Sequence, residues 1–191
     1  MRVVVNEWVT KRVEFFRRLE FFQAQAALST VELAEWLANR GGMAFDISDR
    51  LADLHLVRAD RDRVWWNDTE ADVCESGEVY RETLLEWARI SRGAFTPTTI
   101  TERWDSEEGP ITVTFEHGGQ LVTLSPEYAN DWLDLGILIP LNRLVEPSGI
   151  QFELYEAFDQ TAFIVALKAH EKAQLIRERG WRFAGALPDQ P

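Results

Sequence analysis

Apolar residues recur at three- and four-residue steps through the first third of the chain and at two-residue steps through much of the remainder, the periods of helices and strands respectively. Val9, Val13, Phe16, Leu19 and Phe22 follow the first pattern through a segment that also holds Arg12, Arg17, Arg18 and Glu20, which predicts one amphipathic helix from about Asn6 to Ala27. Ser29-Thr30-Val31-Glu32 fits a capping box, in which the serine oxygen accepts from the third backbone N–H and the glutamate reaches back. The helix it opens turns Leu33, Trp36 and Leu37 inward and stops at Gly41-Gly42. A third helix is predicted over Asp46 to Leu54, with carboxylates near its positive end. Leu56-Val57-Arg58 and Val64-Trp65-Trp66 then flank Ala59-Asp60-Arg61-Asp62-Arg63, the pattern of a short charged hairpin. Val79 to Ser91 reads as a helix that buries Leu84, Leu85, Trp87 and Ile90 and ends near Gly93.

Period two dominates from there. Ile111, Val113 and Phe115 alternate with Thr112, Thr114 and Glu116, Gly118-Gly119 supplies the positive φ angles of a two-residue turn, and Leu121 to Leu124 returns. Opposing His117 to Gln120 pairs Phe115 with Val122 and Val113 with Leu124, which puts all four apolar residues on one face. Ile100 to Trp104 is a preceding strand. Ser125-Pro126 predicts a short helix with Tyr128, Trp132 and Leu133, and Pro140 opens another with Leu141, Leu144 and Val145. Ile150, Phe152 and Leu154 alternate, whereas Ala162 to Leu167 is apolar at every position, as a central strand requires. Ala169 to Arg179 is a helix ended by Gly180, and Trp181-Arg182-Phe183 adds a short edge strand. The expected fold class is α+β: a helical part over residues 1–70, an α+β part with a mostly antiparallel sheet and flanking helices over 78–184, and a flexible tail over 185–191.

Charge changes this picture. The formal charge of −12 lies in the middle of the chain: between Gly41 and Ile150 stand nine basic and twenty-one acidic residues, while the flanks are nearly balanced. An acidic belt repels phosphate backbones and lipid headgroups and favours basic partners, so nucleic acid and membrane are not expected as ligands. Cys74 is the one cysteine, which excludes an intrachain disulfide and a Cys-rich zinc site and suits a reducing compartment. With neither a signal-peptide pattern nor a long uncharged apolar run, the expectation is a soluble, cytoplasmic protein.

Candidate chemistry is sparse. His55, His117 and His170 are far apart, and His170-Glu171 lacks the second histidine of a zinc helix because residue 174 is Gln. Cys74 lies beside Asp72 and Glu75, whose charges oppose a reactive thiolate. No Gly-x-Ser-x-Gly elbow or phosphate-cradling glycine motif occurs. Glu102, Asp105, Glu107, Glu108 and Glu116 cluster near the predicted hairpin, but in a chain with thirty-two acidic residues a solvated face explains them. No catalytic residue, metal or cofactor is therefore expected. Eight tryptophans are more telling, because an indole serves equally as core filler or interface anchor. In Trp65-Trp66 adjacent strand residues face opposite ways, which leaves one of them available to a partner.

The order helix, capped helix, turn, helix, Leu-Val strand and charged hairpin over roughly residues 5–67 resembles a winged helix-turn-helix. In that family the third helix enters the major groove. Here it offers Asp46, Asp49 and Asp53 against Arg50 alone, so the resemblance implies a protein-contacting or structural version. In overall character the acidic, aromatic-rich chain without catalytic motifs resembles the small immunity proteins with which bacteria neutralise their own toxic nucleases. That resemblance implies a carboxylate surface that attracts a basic toxin and a few desolvated anchors that hold it. On this reading Asp60, Asp62, Asp68, Asp105, Glu107 and Glu108 steer, and Trp65, Trp66 and Trp104 anchor. The alternative is a winged-helix-like regulatory protein with a C-terminal sensing part.

Overall fold

A computed structural model describes residues 7–40, 51–155 and 160–184. The fold is α+β, with a helical N-terminal region and two three-stranded antiparallel sheets. The chain divides into two compact units, residues 1–64 and 65–191.

In the first unit α1 (Glu7–Arg18) buries Val9, Val13, Phe15 and Phe16. The spacing of Leu19 and Phe22 predicts that it continues to Ala27, yet Glu20 and Phe22 take left-handed backbone angles and a 3-10 turn follows over Gln23–Gln25. Tertiary hydrogen bonds replace the helical ladder at this point. The Phe22 N–H donates to the carboxylate of Asp60, and the Leu19 carbonyl accepts from the Arg63 guanidinium at 2.8 Å. That guanidinium also lies 4.3 Å from the centre of the Phe21 ring, a cation–π contact. Arg17 holds the next loop by donating to the carbonyls of Gln25 and Leu28 at 3.0 and 2.7 Å. Turning the chain here buries both Phe21 and Phe22, which are adjacent in sequence.

The capping box forms as read: Glu32 N–H donates to Ser29 Oγ at 3.2 Å, Ser29 N–H donates to Glu32 Oε2 at 2.8 Å, and α2 (Thr30–Arg40) follows. Asp46, Asp49 and Arg50 lie outside the described residues. The end of the expected third helix is α3 (Ala52–Val57), and it corrects two expectations. Leu56 and Val57 are helical, not a strand, and 58–63 are mostly turns, so no charged hairpin forms. Asp53, expected on an exposed acidic face, is buried and pairs with Arg12 at 2.9 Å.

The second unit begins within β1 (Val64–Asp68) and continues through α4 (Val79–Ile90), β2 (Thr98–Trp104), β3 (Ile111–His117) and β4 (Gln120–Leu124). It is completed by α5 (Leu138–Val145), β5 (Ile150–Leu154), β6 (Thr161–Lys168) and α6 (Ala169–Arg179). One sheet has the order β1-β6-β5 and the other β2-β3-β4. Strand β6 is central, as its unbroken apolar run predicts. Ala162, Ile164 and Ala166 join the main core with Trp65, Phe152 and the α4 residues Tyr80, Leu84, Trp87 and Ile90. Phe163 makes edge-to-face contacts with Trp66, Tyr155 and Trp181 at centroid distances of 5.6, 6.2 and 5.6 Å. Strand alternation thus sends Trp65 and Trp66 to opposite faces of the sheet.

The β3–β4 hairpin has the register read from sequence: His117 opposes Gln120, Phe115 opposes Val122 and Val113 opposes Leu124. The helix expected after Ser125-Pro126 is absent. Backbone groups of that segment bond elsewhere, with Ala71 N–H donating to the Asp131 carbonyl and Leu133 N–H to that of Thr69, both at 2.7 Å. Helix α6 is tied to the end of α4 by Arg92, whose Nη1 lies 2.9 Å from each Glu171 oxygen. Glu171 is buried and also accepts the Lys168 N–H at 2.7 Å, so one carboxylate caps α6 and clamps the two helices.

Arg92→Ala leaves the Glu171 charge buried without its cation and lowers stability by about 3 kcal/mol, measured by urea unfolding. Burial raises the Asp60 carboxyl pKa above its ordinary value, against the lowering effects of the Phe22 N–H and the Arg63 guanidinium. A raised folded-state pKa adds stability at pH values below the unfolded value, and that contribution disappears as pH rises through the folded value. The unfolding free energy of the native chain minus that of Asp60→Asn, which keeps a carbonyl acceptor for Phe22, therefore falls as pH rises from about 4 towards neutrality.

Candidate functional site

Strand β1 and the chain that follows it form one wall of a groove, and α4 forms the other. Alternation along β1 turns Trp65 into the core at the groove floor, and Asn67 and Asp68 are exposed. After the strand, Asp72 takes a φ of 48°, a left-handed angle that aspartate tolerates better than most side chains. On α4, Val79, Glu82 and Glu86 recur at three- and four-residue steps and share a face with Leu85. Leu85 was expected in the core but is 46% exposed. Leu84 and Trp87 occupy the inward stripe, and a residue one step from Leu84 is rotated by about 100° around the helix.

The groove encloses about 560 Å³ and, among the described residues, is lined by five carboxylates, Asp68, Glu70, Asp72, Glu82 and Glu86, and by no lysine or arginine. Three of the five have donors. Glu86 accepts from Trp65 Nε1 at 2.6 Å, Glu70 from the Gln160 side-chain amide, and Asp68 from the Glu70 N–H at 3.0 Å. The carboxylates of Asp72 and Glu82 have no hydrogen-bond or ion-pair partner among the described residues. The site therefore presents concentrated negative charge beside apolar Ala71, Val79, Leu85 and Leu133. A second pocket of about 360 Å³ shares Leu133 with the groove and is bordered by Thr69, Glu127, Asp134 and Trp132, the last 38% exposed. Asp134 is engaged internally, accepting from the Gly136 and Glu127 N–H groups at 2.7 and 2.9 Å.

The structure sorts the residues expected to steer and to anchor. Asp60 belongs to the first unit, is 2% exposed and accepts the Phe22 N–H, so it is a structural carboxylate and not a steering one. Asp62 is exposed in that same unit. Trp65 is buried, so it floors the groove and fixes Glu86 but has little face to offer a partner. Trp66 is half-buried against Phe163. Trp104 is also no exposed anchor: it is 8% exposed and donates from Nε1 to Glu102 Oε1 at 3.0 Å. Asp105 pairs with Arg103 at 2.6 Å, and Glu107 and Glu108 are exposed in the β2–β3 turn. Of these nine residues only Trp65 and Asp68 line the groove. Glu70, Asp72, Glu82, Leu85 and Glu86 were not among the residues expected at a site, although the spacing of Glu82, Leu85 and Glu86 is a one-face signal in the sequence.

Two further groups are structural. Glu102 Oε2 accepts the Arg81 N–H at 3.1 Å and so caps α4 from another element, where the helix's own N-cap, Glu78, makes no side-chain cap. Tyr80 is fully buried and accepts the Asp134 N–H at 3.1 Å. Burial pushes its hydroxyl pKa up to about 12, which keeps it protonated at neutral pH. Among the described residues no group of three or more His, Cys, Asp or Glu is placed to hold a metal ion, and no helix is long and apolar enough to cross a membrane.

Glu102→Ala orphans both the Trp104 indole N–H and an N-terminal amide of α4, with an expected loss of about 2 kcal/mol in urea unfolding. Exposed Glu108→Ala is the control and shifts stability by no more than about 0.5 kcal/mol. No protein-family model, curated protein or solved structure matches the chain.

Proposed function

We propose that this chain is a non-enzymatic binding protein whose acidic groove receives a basic protein, an immunity-type inhibitor of a basic toxin being the sharpest form of that reading. The groove between β1 and α4 carries the proposal: among the described residues it has five carboxylates, no cation in its wall, and an exposed Leu85 at its side. Carboxylates that repel one another in the free protein gain when a lysine or arginine enters, and long-range attraction speeds encounter with a basic surface. Leu85 and the aliphatic parts of the wall cover the methylene stem of such a side chain while its charged head meets Asp72 and Glu82. The charge concentrated in the middle of the chain supports the same reading.

The test is affinity capture from the native cell at low and at moderate salt, with the native chain and with Asp72→Lys/Glu82→Lys. A basic protein is captured by the native chain, its affinity falls at least about tenfold in the double variant, and the loss grows smaller as salt rises. Failure to capture any basic protein at low salt, or capture indifferent to the two reversals, overturns the reading.

A further inference from the structure

We propose that two copies of this chain pair through β4, forming a continuous six-stranded sheet across a two-fold axis at Val122. An edge strand presents unpaired N–H and C=O groups to any second strand. Edge β5 is closed by a side chain: Asn142 accepts the Phe152 N–H at 2.7 Å and donates to the Phe152 carbonyl at 2.9 Å, taking the place of a neighbouring strand. Edge β2 is guarded by a register shift between Thr98 and Thr101, by a φ of 54° at Thr99 and by the charges of Glu102 and Arg103. The chain leaving β1 pairs with 131–133 through the Ala71 and Leu133 hydrogen bonds.

Strand β4 has none of these devices. Its turn is the two-residue Gly118-Gly119, both with positive φ, so His117 and Gln120 form the closing hydrogen-bonded pair. Antiparallel alternation then directs Gln120, Val122 and Leu124 towards β3 and turns the N–H and C=O of Leu121 and Thr123 outward. Those four groups have no hydrogen-bond partner among the described residues. Their spacing complements itself: antiparallel pairing about Val122 sets Leu121 opposite Thr123 of the second copy and makes four main-chain hydrogen bonds.

Charge selects the second copy as the occupant. Each chain carries −12, so most faces of one copy oppose like charge on another. From Gly118 to Pro126 no residue is charged, and Leu121, at 73%, is the most exposed large apolar side chain among the described residues. A pair centred on Val122 places Leu121 and Thr123 together on one face, Val122 against its own counterpart on the other, and no carboxylate opposite a carboxylate on the two joined strands.

Sedimentation equilibrium over a roughly hundredfold concentration range shows a monomer–dimer equilibrium for the native chain. Amide exchange at Leu121 and Thr123 slows as concentration rises, whereas that at Val122, already bonded to β3, does not change. Leu121→Lys brings like charges to the junction, and Thr123→Pro removes an outward donor without touching the β3–β4 bonds. Both shift the protein to monomer, with far-UV circular dichroism and Val122 protection as the controls for folding. A native chain that stays monomeric throughout, a dimer unaffected by both variants, or exchange at Leu121 and Thr123 independent of concentration overturns the pairing. A different protein strand on this edge would give the first of those outcomes.

Discussion

Strand β6 must be covered on both faces, and most of the second unit follows from that requirement. Its inner residues Ala162, Ile164 and Ala166 meet the core that α4 and β5 complete, while Phe163 on the other face meets Trp66, Tyr155 and Trp181. Full burial of an apolar strand is favourable only if its backbone groups are also bonded, and central placement between β1 and β5 provides this. The tryptophans that look like interface anchors in the sequence are largely accounted for by this demand for large apolar filler. Trp65 serves one face of the sheet and Trp66 the other.

The acidic residues divide by the same logic. A carboxylate stays buried only where donors or cations compensate its desolvation, and each buried one among the described residues has a definite structural task. Asp60 ends α1 by taking the Phe22 N–H, Asp53 pairs with Arg12, and Glu171 caps α6 while clamping Arg92. Half-buried Glu102 caps α4 and takes the Trp104 indole. Of the exposed acidic residues, Asp68, Glu70, Asp72 and Glu82 gather along the β1–α4 groove, where the carboxylates of Asp72 and Glu82 lack partners among the described residues. The charge of the middle segment is thus partly internal scaffolding and partly a concentrated surface feature.

Elements governed by neighbours in sequence were legible. The Ser29–Glu32 capping box depends on four consecutive residues, and the β3–β4 register on a two-residue glycine turn and strict alternation. The β6 run, its following helix and the Gly180 stop were equally readable, because each is set by local period and by a backbone angle that glycine permits. Of the groove, Trp65 and Asp68 were singled out, but Glu82, Leu85 and Glu86 were hidden by placing Leu85 in the core. An inward helical stripe and its flank differ by one residue, and only the packing of Leu84 and Trp87 decides between them.

By itself, the sequence determined the α+β class, the period of most elements, the central position of β6 and the location of the charge, since all of these rest on local pattern and composition. The tertiary structure decided where α1 ends, because bonds from Asp60 and Arg63, some forty residues away, displace its helical ones. It also turned an expected hairpin into a turn followed by a sheet strand, drew Trp104 into the core, and left the segment after Ser125 irregular by bonding it to residues 69–71. In each case a long-range partner satisfies a backbone group or fills a space better than the local alternative, and no local pattern records who that partner is.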